Sequence, residues 1–383
     1  MTGYSVIAIA RKEFFDQLIS RKFLLILGIL LIVSIIGILN GVSNYNASVT
    51  SYNNLQQSAL GSGGSVSPVD QYMKQKPSVL LVFFQIGITF ELIGGILGIA
   101  MGFDLITKEK ERKSLKILLA HPVYRDQVIN GKTLGGIAAI ILALGCTTAV
   151  SLAILLLFGI VPTPSEMLPI LVFYTATFLL IFSFFAIAIL MSTLCEESGQ
   201  SLVYTLIIFV TLGSFIPALF LSPLVMEMVI GQAPEMPVMT AYPTEKLANP
   251  ADQAAETKRI QKENREALER YGQQNLEYKE RVTWWINNQV LFSPTNNYAR
   301  ISAFMTNPTA MSERLYGLTG AGTSGGINDD DKKVLVTYKS RKIIDLDVYS
   351  VLAMLTGNLT ALLVLPAVFF GLAYVRFMRM DIR

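Results

Sequence analysis

Glu91 is the single charged residue in the run from Val79 to Phe103, and Gly94, Gly95, Gly98 and Gly102 follow it at spacings of three and four. On a helix these residues share one face. Small residues there permit close helix approach, and an ionised carboxylate at such depth must face protein or water. Two readings stay open: a pathway or dimer-interface residue, or a carboxyl held by a neighbouring helix for packing alone. Gly131-Lys132-Thr133 suggests a phosphate loop, but that motif needs a glycine five residues before Gly131 and a strand leading into it. Position 126 is Asp126, so the chain is expected to contain no nucleotide-hydrolysing module. One histidine, His121, and two distant cysteines, Cys146 and Cys195, cannot assemble a zinc finger, a haem pair or a disulfide framework. Asn328-Asp329-Asp330-Asp331 lacks the alternating ligands and closing glutamate of a calcium loop and reads as a solvated turn. No paired intramembrane carboxylates or metal motif appear, so no catalytic residue, metal site or cofactor is assigned to the chain itself.

The elements that position these residues follow from composition. The 383 residues are 52% hydrophobic and 15% charged, whereas soluble domains average about 45–50% and about 25%. Six nearly uncharged windows account for the deficit: 23–42, 79–106, 133–160, 168–194, 201–221 and 348–375. Each has the roughly 20 residues needed to cross hydrocarbon. The first window follows a 22-residue segment and is not trailed by a small-residue cleavage motif, so it is read as a retained span. Fourteen Lys and Arg residues flank the spans on one side, against Lys74 and Lys76 in the short loops of the other, which predicts both termini to be cytoplasmic. The net charge of +3 is explained by this bias and does not suggest nucleic acid. The predicted fold is an all-α integral membrane protein with six transmembrane helices and a largely helical extracytoplasmic insertion between helices five and six.

Residues 1–22 are read as a cytoplasmic interfacial helix, 23–221 as the first five spans, 222–346 as the extracytoplasmic domain and 347–383 as the sixth span with its tail. Residues 43–78 read as a polar loop around the low-complexity Gly61-Ser62-Gly63-Gly64-Ser65. The insertion holds 15 Lys/Arg and 15 Asp/Glu, a balance that favours a solvated folded element. Within it, Asn249-Pro250 should open a helix that runs to about Phe292 before Ser293-Pro294 stops it. Ile260, Ala267, Tyr271, Tyr278, Val282 and Trp285 form a thin apolar seam along that helix. A short helix near 298–305 and a strand-like run at 333–338 complete the insertion.

Between spans two and three, Leu115, Leu118 and Leu119 share one face of a short helix over 108–120 and charges occupy the other. That pattern suits a helix lying at the membrane surface or in a partner's groove, or a merely amphipathic connector. Glu111, Ser114, Leu115, Leu118, Leu119, Pro122, Val123, Arg125, Gly131 and Lys132 together resemble the signature of ABC-2-type ABC transporter permeases. Ala10-Arg11-Lys12-Glu13-Phe14, with Leu18 and Arg21, resembles that family's interfacial helix before the first span. Lys113 stands where the family commonly has glycine, and the insertion after span five is larger than in minimal members.

The resemblance implies a permease subunit of an ATP-driven transporter, an exporter, in the plasma membrane of a bacterium or archaeon. It implies a separate ATP-binding subunit, which would hold ATP and Mg, and a second permease chain as homo- or heterodimer. The 108–120 helix would dock on the ATPase, and Glu196 and Glu197 would either join that contact or form a solvated turn. The alternative is a non-transporting mechanotransmission or scaffold protein acting through its ectodomain on an extracytoplasmic partner.

Overall fold

The computed structural model describes residues 2–61, 77–113, 124–241, 250–307 and 348–380. In chain order the helices are α1 (Thr2–Ile19), α2 (Arg21–Gly61), α3 (Leu80–Gly102), α4 (Thr107–Glu111), α5 (Arg125–Leu157), α6 (Pro164–Leu194) and α7 (Ser198–Val210). They continue with α8 (Pro223–Ile230), α9 (Pro250–Gln289), α10 (Pro294–Thr306), α11 (Val348–Met354) and α12 (Thr356–Met378). A π-helical turn, Thr211–Phe215, and one further helical turn, Ile216–Phe220, extend α7. Among the described residues no strand occurs; the strand-like run at 333–338 lies outside them.

Among the described residues six helices are long and apolar enough to cross a membrane: Arg21–Gln57, Leu80–Glu111, Arg125–Leu157, Pro164–Leu194, Ser198–Phe220 and Thr356–Met378. Each coincides with one of the hydropathy windows, but two boundaries differ. The part of the expected polar loop from Ser43 to Gly61 is helical and extends α2. Its hydroxyls remain compatible with the helix because Ser48, Thr50 and Ser51 donate to the carbonyls of Asn44, Asn46 and Ala47, four residues back. The sixth window is interrupted at Leu355, between α11 and α12. Thr356, Gly357 and Asn358 are weak helix formers, and the Asn358 side chain is engaged by Asn297 at 2.8 Å.

The chain divides into two units. The first contains α1–α7 and α10–α12. At its centre α6 packs against α3, α12, α10, α7 and α5. It is apolar around most of its circumference and buries Phe173, Leu180, Ile181, Phe184, Phe185 and Ile189, as expected for the inner helix of a bundle. Thr163 and Glu166 cap its first turn. Glu166 also accepts from the Ser78 hydroxyl and, at 3.0 Å, from the Val79 amide, tying the start of α6 to the start of α3. By contrast α2 leaves Leu24, Leu25, Ile32 and Ile36 exposed, the apolar outer face of a span.

The second unit includes α8 and α9. At 40 residues, α9 is about 60 Å long, and Gly272 does not interrupt it. The seam is its least exposed row: Ile260 is buried, and Ala267, Tyr271, Tyr278, Val282 and Trp285 are partly covered. On its solvated faces Arg259 pairs with Glu263 and Arg265 with Glu269, each one helical turn apart. Asn264 holds the extended segment beside α9 through two hydrogen bonds to Thr240, accepting from its amide and donating to its carbonyl. Trp285 donates its indole N–H to the Phe220 carbonyl at 2.9 Å and meets the Phe220 ring edge to face, whereas Trp284 is exposed. Residues 290–307, read from the sequence as part of the insertion, pack instead in the first unit, where α10 lies against α3, α6 and α12.

Candidate functional site

At one end of the first unit α4 is fastened to the turn between α6 and α7. Ser192, in the last turn of α6, accepts through its hydroxyl from the Ile106 and Thr107 amides at 2.9 and 3.0 Å, as α3 gives way to α4. Lys110 donates to the Thr193 and Cys195 carbonyls at 3.0 and 2.7 Å. Those carbonyls end α6, where a cation also opposes the helix dipole. Glu111 accepts from the Ser198 amide, the first of α7, where a carboxylate is favoured for the same reason. The hydroxyls of Thr107 and Ser198 meet at 3.0 Å. Cys195 is enclosed by this arrangement, and burial pushes its thiol up from the ordinary range. Glu196 and Glu197 project outward and are exposed.

The same end carries a second set of links. Lys132 on α5 is buried and bridges Glu13 of α1 at 2.8 Å and Glu109 of α4 at 3.2 Å. Gly131 and Gly135 allow that approach: a Cβ on either would lie 2.7 Å from Ile9 or Glu13 side-chain atoms of α1. The apparent phosphate-loop residues therefore join two helices. Lys22 pairs with Asp104, linking the start of α2 to the end of α3. Arg125 donates to the Met380 and Met378 carbonyls at 2.6 and 3.3 Å, so it caps α12. Beneath it Ile106, Val128, Ile129 and Phe377 form a buried apolar cluster.

Of the expected ATPase-coupling residues, the structure brings Glu111, Glu196 and Glu197 together around the α6–α7 turn and gives Arg125 a structural partner. Ser114, Leu115, Leu118, Leu119 and Pro122 lie outside the described residues. The chain leaves α4 through Lys113 with φ +56°, the left-handed region. A side chain there costs about 1–2 kcal/mol.

The glycine face of α3 packs against α6 and α7. Gly94 faces Leu180, Gly98 faces the backbone of Ile181 and Phe185, and Gly102 faces Phe185 and Ala188, all on α6; Gly95 faces Phe209 of α7 and Phe184 of α6. Covered from within the chain, and without side chains of their own, these glycines let α3 and α6 approach closely. Glu91 is only partly buried, and among the described residues no cation lies within ion-pair distance of it.

Sequence reasoning missed a polar group on α10. Asn297 donates to the Leu291 and Ser293 carbonyls, both at 3.0 Å, and accepts from Asn358 of α12. The Tyr298 hydroxyl lies 3.2 Å from that of Thr177 on α6. These side chains are buried and were hidden because the short α10 sits between polar stretches of sequence. A short helix is expected near 298–305, but Ser293-Pro294 reads as a stop, and the partners on α6 and α12 lie far away in sequence.

Six membrane-length apolar helices among the described residues, one of them the largely buried α6, with a polar clasp at one end, define a multi-pass helical membrane protein. A family model described as ABC-2 family transporter protein matches residues 7–382. The chain belongs to that family and is a permease component of an ABC transporter. Among curated proteins none matches the sequence.

Proposed function

We propose that this chain is the membrane-spanning subunit of an ATP-driven exporter, paired with a second permease chain and driven by separate ATP-binding subunits. The observation that carries the reading is the clasp joining α4 to both α6 and α7. A partner engaging the 108–120 segment would act on two spans at once, as alternating access requires. Glu196 and Glu197 supply an exposed acidic edge beside it. ATP and Mg belong to the partner, and this chain contributes no hydrolytic group. The 14-to-2 distribution of short-loop cations supports cytoplasmic termini in a plasma membrane and an extracytoplasmic insertion.

Replacing Leu115 and Leu118 together with Asp should reduce co-purification of the ATPase subunit by at least about tenfold, because charge replaces the apolar anchors of a helix in a groove. Unchanged co-purification with unchanged ATPase stimulation would remove the docking assignment. Topology is tested separately with Lys262→Cys in a Cys146→Ala, Cys195→Ala background, since Lys262 is exposed on α9. An impermeant maleimide should label intact cells. Labelling only after lysis would invert the proposed sidedness.

A second reading, force transmission to an extracytoplasmic partner without transport, is favoured by one observation: α8 and α9 belong to a unit of their own with a long solvated helix. Transport of cargo by reconstituted permease and ATPase would select the first reading. ATP-dependent change in α9 exposure without flux would select the second.

A further inference from the structure

We infer that the cleft bordered by α1 and α4 binds the phosphate of an anionic phospholipid headgroup. The cleft encloses about 580 Å³ and is lined by charged residues from α1, α2, α4 and α5 and the end of α3, a volume within the about 300–1,000 Å³ typical of small-ligand sites. Its acids are largely committed: Asp104 to Lys22, and Glu13 and Glu109 to Lys132. Lys12, Lys108 and Arg112 also line it, and among the described residues none of the three has a carboxylate within ion-pair distance. Asp16 is the one further acid in the lining, which holds five cations against four carboxylates, an excess of one positive charge. Lys108 and Arg112 lie four residues apart at α4, a like-charge spacing that is unfavourable on a helix unless an anion bridges it.

The surroundings specify a lipid rather than a free anion. Ile7, Phe15 and Ile19 form an uncovered apolar row on α1, and Leu24 and Leu25 are exposed just beyond Lys22 on α2. Apolar exposure beside a cationic cleft marks the level where hydrocarbon gives way to water. A headgroup phosphate can enter the cleft there while its acyl chains remain against the apolar row. Recognition is by charge and hydrogen bonding to phosphate oxygens, with Arg112 able to offer a two-pronged contact. It requires no ATPase partner.

The test uses the purified full chain in mixed micelles of phosphatidylglycerol and phosphatidylcholine, with bound lipid counted by native mass spectrometry. The chain should retain phosphatidylglycerol preferentially. The double variant Lys108→Gln, Arg112→Gln should weaken that retention about fivefold per cation removed, whereas Lys108→Arg, which keeps both cations, should preserve it. Both positions are exposed, and size-exclusion profiles check that the variants remain folded. Absence of a preference for phosphatidylglycerol, or equal retention by the glutamine variant, would overturn the site. Displacement of the lipid by millimolar inorganic phosphate would overturn the lipid assignment in favour of a free phosphate.

Discussion

Lys132→Met should destabilise the protein by about 3–5 kcal/mol, the cost of removing one partner from a buried ion pair. The Lys132 side chain is only 8% exposed and serves two carboxylates, Glu13 and Glu109, that are 15% and 26% exposed. Methionine fills much of the space but removes the buried cation that both acids share. The measurement is the midpoint of thermal unfolding in detergent, followed through α-helical circular dichroism. Adding Glu13→Leu and Glu109→Leu to Lys132→Met should recover most of the loss, because an apolar replacement of a whole buried pair is often neutral. A single variant that melts with the wild type would show that the bridge contributes no net stability.

Gly98→Ala should also be severely damaging, for a steric reason. The added Cβ would overlap the Ile181 carbonyl oxygen and lie 2.9 Å from the Phe185 amide nitrogen, both backbone atoms of α6. No rotamer change relieves such a contact, so α3 and α6 must separate, at a cost of about 1–3 kcal/mol or more. Gly28→Ala is the control. Nothing lies within 4 Å of its added methyl, and alanine in a helix interior gains roughly 0.5–1 kcal/mol over glycine. The two variants should therefore shift the unfolding midpoint in opposite directions; equal midpoints would disprove close packing at Gly98.

These two sites show which parts of the molecule were legible in its sequence. The six spans were, because hydropathy over some twenty residues is a local property and every window meets a helix. The long α9 was equally visible from its Pro250 start and the Ser293-Pro294 stop. The glycine spacing announced a close helix contact, but periodicity does not say which helix fills the groove, and α6 and α7 fill it from within the chain. Lys132 looked like part of a motif because its neighbours in sequence are Gly131 and Thr133. Its true partners are 119 and 23 residues away. Polar contacts between distant elements leave no local period, which is why the α10 asparagine pair and the Lys110 and Glu111 contacts emerged only with the fold.

The α4 clasp has a mechanical consequence. Lys110 grips the trailing end of α6 and Glu111 the leading end of α7, so the elbow between those spans is held from both sides by one short element. Sliding α4 alone would break charge-assisted bonds on both sides of the elbow. Moving it with the elbow breaks none of them. The softer motion is thus a common displacement whose load enters α6, and from α6 it spreads through direct packing to α3, α10 and α12.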